Sequence, residues 1–240
     1  MREDVFVCIE QRGGTVLPAA MQAITAATQL AGKTGGKVVA GIIGHNLGAV
    51  ADKLDGTGVA TTFVADADGL ANYNALKYTR TLANMIQKAD PQVVLLAASF
   101  MGRDLAPRVA MRLGAGLATD CTELELEGSG ALVVRRPIYN GKAFSRVHFS
   151  PSKIQMASVR PNTFAAPAGG GAKAERVEVP FAADPSDDRQ VTKEIARTGG
   201  DEKDVTEAAI VVSGGRSLKS EENFKISYDL AHALDGAVGA

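Results

Sequence analysis

The residues with the most pointed chemistry run from Ala209 to Phe224: Ala209-Ile-Val-Val-Ser-Gly-Gly-Arg-Ser-Leu-Lys-Ser-Glu-Glu-Asn-Phe224. Ile210 to Val212 reads as a buried strand. Ser213, Gly214, Gly215 and Arg216 then make a glycine loop carrying one guanidinium, and a helix entry follows. Strand, glycine loop and helix in that order aim backbone N–H groups and a cation at an anion. A plainer reading stands beside it, in which two glycines turn the chain and Arg216 is solvated. The order of elements favours the anion. Residues 225–240 are enough for one helix, so a nucleotide-type domain opens here and is not completed within this sequence.

Other chemistry-bearing groups are sparser. Ser99-Phe-Met-Gly-Arg-Asp-Leu-Ala-Pro-Arg108 follows a buried-looking strand, at the sheet edge where open α/β folds place ligands. Gly102, Arg103 and Asp104 are expected to open a helix, with Asp104 capping it or favouring its dipole. Arg103 and Arg108 are free to pair with acids of another strand or of a partner chain. A capped helix with ordinary salt bridges is the expectation here, ahead of direct ligand contact. Arg135-Arg-Pro-Ile-Tyr-Asn-Gly-Lys142 reads as a hairpin around Asn140-Gly141, with the Tyr139 ring buried and its hydroxyl at the surface. Gly32-Lys-Thr-Gly-Gly-Lys37 has the wrong spacing for a phosphate loop and follows a helix, so it reads as a helix cap. Gly41-Ile-Ile-Gly44 reads as a turn at the end of a strand. His45, His148 and His232 are too scattered for a metal site, and no catalytic trio stands out.

The elements that must position these groups alternate over the first hundred residues. Strands are read at Val5–Glu10, Lys37–Ile43, Val59–Ala65 and Gln92–Ala98. Helices are read from Pro18 through Leu30 and at Leu47–Leu54, Asn72–Ala89 and Met101–Leu113. Short connections between alternating types imply right-handed βαβ units and a parallel sheet. Beyond residue 115 the pattern changes to short runs of period two. Thr122–Leu126, Ala131–Arg136, Lys142–Phe149 and Ile154–Val159 are separated by turn signals at 128–130, Asn140-Gly141 and Ser150-Pro151, which predicts an antiparallel meander. Ala165–Ala174 is low in complexity and reads as a flexible boundary. Val177–Val179 and Gln190–Ile195 read as connecting extended pieces, and Asp184–Asp188 as a solvated acidic linker.

The fold class is therefore α/β: a Rossmann-like, mostly parallel sheet with an antiparallel extension, followed by the start of a second doubly wound α/β domain. The expected organisation is an N-terminal domain over 1–165, a connecting segment over 166–205, and the front of a second domain over 206–240. Hydrophobic residues make up 45% of the 240, ample for a core, and the formal charge of −1 argues against nucleic acid or a membrane surface. No apolar run reaches the ~18 residues of a membrane span. Strand one begins at Val5, and no leader is read before it. Cys8 and Cys121 are far apart and fit core packing in a reducing compartment.

Taken together, several segments carry a resemblance. They are 102–108 (Gly-Arg-Asp-Leu-Ala-Pro-Arg), Thr119-Asp-Cys-Thr122, Arg136-Pro-Ile-Tyr-Asn-Gly-Lys142, Val159-Arg-Pro161, and Val211-Val-Ser-Gly-Gly-Arg-Ser-Leu-Lys-Ser220 with Glu222-Asn-Phe224. In this order along the chain they resemble the alpha subunit of electron transfer flavoprotein, including its nitrogen-fixation-linked and caffeoyl-CoA-linked groups. The last segment is specific, and the ordered set is more specific than any short member.

The resemblance implies a heterodimer with a beta subunit, in which the alpha N-terminal domain has lost its own nucleotide site and packs against beta. It implies FAD in the alpha C-terminal domain and AMP in beta. The chain would then be an electron carrier without substrate turnover of its own, located in the bacterial cytoplasm. It would take electrons from dehydrogenases, such as acyl-CoA dehydrogenases, and pass them to a quinone-reducing or other acceptor. Arg216 matches the family arginine that contacts FAD, and Ser213, Gly214 and Gly215 shape its loop. Ser217 and Glu221 stand where many relatives have glycine. Because residues 206–240 fall short of the ~100 residues a doubly wound domain uses to bury its core, weak or no FAD binding by this chain alone is expected. The helix face Phe224, Ile226, Tyr228, Leu230 and Leu234 should then be exposed or covered by another molecule. Two other classes compete: a non-redox α/β scaffold that only docks a beta subunit, and a nucleotide-binding domain of the universal-stress type.

Overall fold

The computed structural model describes residues 3–128, 130–149, 154–195, 203–206 and 208–240. It divides into two compact units, residues 1–192 and 193–240. In chain order the first unit holds strands β1 (Val5–Ile9), β2 (Gln11–Arg12) and β3 (Thr15–Val16), helix α1 (Pro18–Thr34), β4 (Val38–Gly44) and α2 (Gly48–Asp52). After these come β5 (Val59–Asp66), α3 (Ala75–Ala89), β6 (Val93–Ala97), α4 (Phe100–Leu113), β7 (Gly116–Cys121) and β8 (Glu123–Leu126). The last strands are β9 (Leu132–Ile138), β10 (Ala143–His148), β11 (Gln155–Val159) and β12 (Glu175–Glu178).

Seven strands form one sheet in the order β12-β5-β4-β1-β6-β11-β7, and every pairing in it is parallel. Both faces are covered, which is why β1, β4 and β6 are continuous apolar runs with every residue buried. Within β1 the side chains divide by parity. Val5, Val7 and Ile9 join the core that α1 covers, and Phe6 and Cys8 join the core that α3 and α4 cover. Helix α1 starts with Pro18 at its first position and ends on Gly35 in the left-handed conformation, φ 77°.

Four sequence expectations are corrected. Gly41 lies inside β4, not in a turn. A Cβ there would stand 2.4 Å from the Phe6 ring, so the glycine lets two strands share one large side chain. Helix α3 begins at Ala75, three residues late, because the Asn74 side chain accepts from the N–H groups of Leu76 and Lys77 and fixes the N-terminus there. The antiparallel sheet has three strands, β10-β9-β8. The fourth expected strand, β11, runs parallel between β6 and β7, with all five of its residues buried. Residues 116–121, assigned to no element from the sequence, form β7. Finally, Asp187 is not a solvated linker acid but 3% exposed and paired with Arg80. The turn expected at Ser150-Pro151, and Ser129 of the turn before it, lie outside the described residues.

The last stretch of the first unit is partly tied down. Gly56 and the segment around Gly171 exchange backbone hydrogen bonds at 3.0 Å, and β12 pairs with β5. Asn74 Nδ2 donates to the Gln190 carbonyl at 2.6 Å, and Thr192 Oγ1 to the Tyr73 carbonyl at 3.1 Å. Gln190–Ile195 therefore lies without regular strand pairing.

The second unit is a single βαβ turn of fold. Strand β13 (Val211–Ser213) pairs in parallel with β14 (Ala237–Gly239), and α5 (Lys225–Ala233) connects them. Small residues allow the helix to lie close: Ser227 and Ala231 are buried, and a Cβ on Gly236 would meet the Ile210 carbonyl at 2.7 Å. The large side chains point elsewhere. Ile226 is 69% exposed, Leu230 50% and Leu234 46%, as the sequence led us to expect for that face.

Candidate functional site

The first unit places its chemistry at the carboxyl ends of β1, β6, β11 and β7. The strand order reverses between β1 and β6, the position at which open α/β sheets bind ligands. There Ser99, not Asp104, caps α4: its Oγ accepts from the Gly102 N–H at 3.0 Å and donates to the buried Glu10 carboxylate. Gly102 is demanded by contact, since a Cβ there would sit 1.9 Å from the Ala97 carbonyl oxygen. Glu10 thus puts a negative charge at the N-terminus of α4. A nucleotide phosphate brought to this edge would meet a like charge where backbone dipoles would otherwise attract it.

Asp104 lies in the second turn of α4 and serves the packing of α4 on α3. It accepts from the Tyr73 hydroxyl at 2.6 Å and from Arg108 Nε at 2.8 Å. Burial pushes the Asp104 carboxyl up, but these two hydrogen bonds outweigh it and hold the group below its usual range. Arg103 Nε donates to the Ala98 carbonyl at 3.1 Å. Two of the quoted motifs meet on neighbouring strands. Arg160 binds both carboxylate oxygens of Asp120, at 3.0 and 2.6 Å, and Asp120 adopts a left-handed φ of 61° at the bulge between β7 and β11. Sequence spacing could not reveal this pair, which depends on β11 lying beside β7. The hairpin motif turns through Tyr139, Asn140 and Gly141, all at positive φ. Tyr139 is 77% exposed, so its ring is not buried as expected: left-handed backbone at that residue turns it outward from a two-layer edge.

The thiols carry no reactive signature. Cys8 and Cys121 are buried, and burial pushes each up to about 12. Among the described residues no group of three or more His, Cys, Asp or Glu side chains could hold a metal ion.

The second unit gathers Ser213, Gly214, Gly215 and Arg216 at the carboxyl end of β13, where the chain leaves the strand. Gly214 donates its N–H to the Gly239 carbonyl at 3.0 Å, tying the loop to β14. A Cβ there would meet Leu218 Cδ1 at 2.5 Å and Phe224 Cε1 at 2.8 Å, so any larger residue must push those side chains aside. Gly215 faces open space, so a ligand can approach its backbone. Among the described residues the N–H groups of Gly215, Arg216 and Ser217 have no acceptor, and the exposed Arg216 guanidinium has no acid partner. Glu221, whose charge stood close in sequence, makes no ion pair with it. Free N–H groups and a guanidinium on one loop are a donor set whose chemistry suits an anion.

Comparison with known proteins matches both units. The family described as "Electron transfer flavoprotein domain" matches residues 5–185, and the "Electron transfer flavoprotein FAD-binding domain" matches residues 204–240. "Electron transfer flavoprotein subunit alpha" of Thermoanaerobacterium thermosaccharolyticum is 34% identical over 240 residues, covering 99% of this chain and 72% of that protein. "Protein FixB" of Clostridium saccharobutylicum is 35% identical over 237 residues, covering 98% of this chain and 70% of that protein. The Bacillus subtilis alpha subunit is 34% identical over 243 residues, covering all of this chain and 72% of that protein. With two family matches in order and relatives at 34–35% identity over 98% or more of its length, the chain belongs to the electron transfer flavoprotein alpha-subunit family.

Proposed function

We propose that this chain carries the first part of an FAD cradle in an electron transfer flavoprotein, with residues 206–240 opening the FAD-binding domain. Residues 1–165 act as the N-terminal domain and 166–205 as the connection. The observation that carries this reading is the Arg216 guanidinium, unpaired among the described residues, beside three N–H groups without acceptors among them, on a loop whose Gly214 packs closely on Leu218 and Phe224. Arg216 neutralises cofactor charge, Gly215 lets the cofactor reach the backbone, and Ser213 and Gly214 hold the loop against β14. Bound FAD supplies reversible electron acceptance, and the protein positions it and tunes its surroundings.

The wider reading is a heterodimer with a beta subunit that holds AMP, in the bacterial cytoplasm. Electrons come from dehydrogenases, such as those of acyl-CoA, and leave to a quinone-reducing or other acceptor. The chain carries electrons and turns over no substrate of its own. Family membership and the Glu10 carboxylate at the sheet's switch point support this reading over a universal-stress-type nucleotide site in the first unit. The experiment is co-expression with the beta subunit and measurement of flavin absorbance per heterodimer. Arg216→Gln should weaken FAD retention by about tenfold to 150-fold, the equivalent of one charged hydrogen-bonding group. Unchanged affinity in that variant overturns the assignment of Arg216, and a colourless heterodimer assigns the chain to docking alone.

A further inference from the structure

A groove between α3 and α4, closed by the turn Pro185–Arg189, is lined by Leu76, Thr79, Arg80, Arg108, Arg112 and Arg189, together with Asp184 and Ser186. Its volume is about 180 Å³. Helical spacing explains how four guanidiniums come together. Thr79 and Arg80 follow Leu76 by three and four residues on α3, and Arg112 follows Arg108 by four on α4, so each helix presents a single row to the groove.

Two of the four cations are already paired. Arg80 is held by Asp187 and Arg108 by Asp104. The other two have no carboxylate partner among the described residues: Arg189 Nε donates only to the Ser186 carbonyl, at 3.3 Å, and Arg112 has no hydrogen-bond partner. Asp184, the one acid in the lining, spends its Oδ1 on the Ser186 N–H at 2.8 Å. Like charges at this spacing repel, and Arg108 and Arg112 are such a pair.

We propose that this groove is an anion site for one phosphoryl-sized oxyanion, taken by Arg112 and Arg189. Its volume suits a phosphate with a few waters and falls below the roughly 300–1,000 Å³ of pockets that hold larger ligands. Planar guanidiniums match phosphate oxygens two at a time, and Arg80 and Arg108, fixed by their own acids, frame the groove without being drawn out of it. The site lies wholly in the first unit and does not depend on the flavin reading.

The test is calorimetric titration of the full chain with inorganic phosphate at low ionic strength, in an Arg216→Gln background so that the loop after β13 does not contribute. One equivalent should bind saturably with Kd at or below about 1 mM. Arg112→Gln with Arg189→Gln should weaken it at least about tenfold. Arg135→Gln with Arg146→Gln removes the same charge from the antiparallel sheet and should change it by less than about twofold. Glycerol phosphate binding as tightly as phosphate assigns the site to the phosphoryl end of a larger ligand, and binding of phosphate alone assigns it to the free ion; either supports the proposal. No saturable binding up to about 20 mM, or equal weakening by the two double variants, overturns it.

Discussion

Asp187→Ala tests how the segment that leaves the first unit is fastened. Arg80 donates Nη1 to Oδ1 and Nη2 to Oδ2 of Asp187, each at 2.7 Å. The Asp187 side chain is 4% exposed and that of Arg80 15%. Oδ2 also accepts from the Asp184 N–H at 3.0 Å, which closes the turn. Truncation leaves Arg80 with the Ala182 carbonyl, at 2.8 Å. Breaking a buried pair by removing one partner costs ~3–5 kcal/mol. Arg80 retains a path to solvent, so the lower end applies, ~3 kcal/mol. At ~2–4 °C per kcal/mol for a unit of this size, Tm falls by ~6–12 °C. Hydrogen bonds from Arg80 hold the Asp187 carboxyl below its ordinary value of 3.8, against burial, which raises it. A carboxyl depressed in the folded state stabilises above its unfolded value, and that contribution disappears as pH falls through the folded value. The gap between the unaltered chain and Asp187→Ala should therefore be full at neutral pH and close progressively below about pH 4. Urea unfolding of the intact chain at a series of pH values measures both effects. The companion Arg80→Met with Asp187→Leu removes both charges and should recover much of the loss. A loss below ~1 kcal/mol, or a double variant no more stable than the single one, would refute the claim that this pair clasps the segment.

Gly102→Ala forces a Cβ to 1.9 Å from the Ala97 carbonyl, so urea unfolding should show a loss of at least ~2 kcal/mol; an unchanged midpoint contradicts the close approach. Tyr73→Phe removes a donor to Asp104, so the Asp104 carboxyl, followed by carbon NMR through a pH titration, should titrate higher; a downward move would speak against that hydrogen bond. Cys8 and Cys121, pushed up to about 12 by burial, should resist a disulfide reagent at pH 8 in the folded chain and react fully in denaturant; rapid labelling of either in the native state rejects their inert role. In the heterodimer, Gly214→Ala should distort the loop and lower FAD retention, while Gly215→Ala, with open space around it, should leave stability unchanged and report only on cofactor approach. Equal effects of the two glycine variants on stability would contradict the packing at Gly214.

Much of the first unit was legible because its signals are local. The apolar runs of β4 and β6, Pro18 at the start of α1, and Gly35 and Gly114 at the ends of α1 and α4 each record a constraint met within a few residues. The strand before Gly214 was read in nearly the right place, but it was expected buried over Ile210–Val212 and is Val211–Ser213, with Ile210 42% and Val211 45% exposed, because the unit offers it only one partner strand and one helix. Strand β11 misled because a run of period two looks alike whether one face or both are covered, and only its neighbours β6 and β7 decide which. Asp187 misled for a similar reason. A run of acids reads as solvated until a guanidinium far away in sequence reaches one of them.

Sequence alone determined the α/β class, the family, and the loop at the end of β13, because periodicity, caps and contiguous motifs need no distant partner. Tertiary structure alone decided which charges are spoken for. Glu10 met Ser99, Arg160 met Asp120, Arg80 met Asp187, and Arg112, Arg189 and Arg216 were left without an acid among the described residues. The reason is physical: the energy of a charge depends on what lies within a few ångströms, and chain folding sets that distance independently of separation along the sequence.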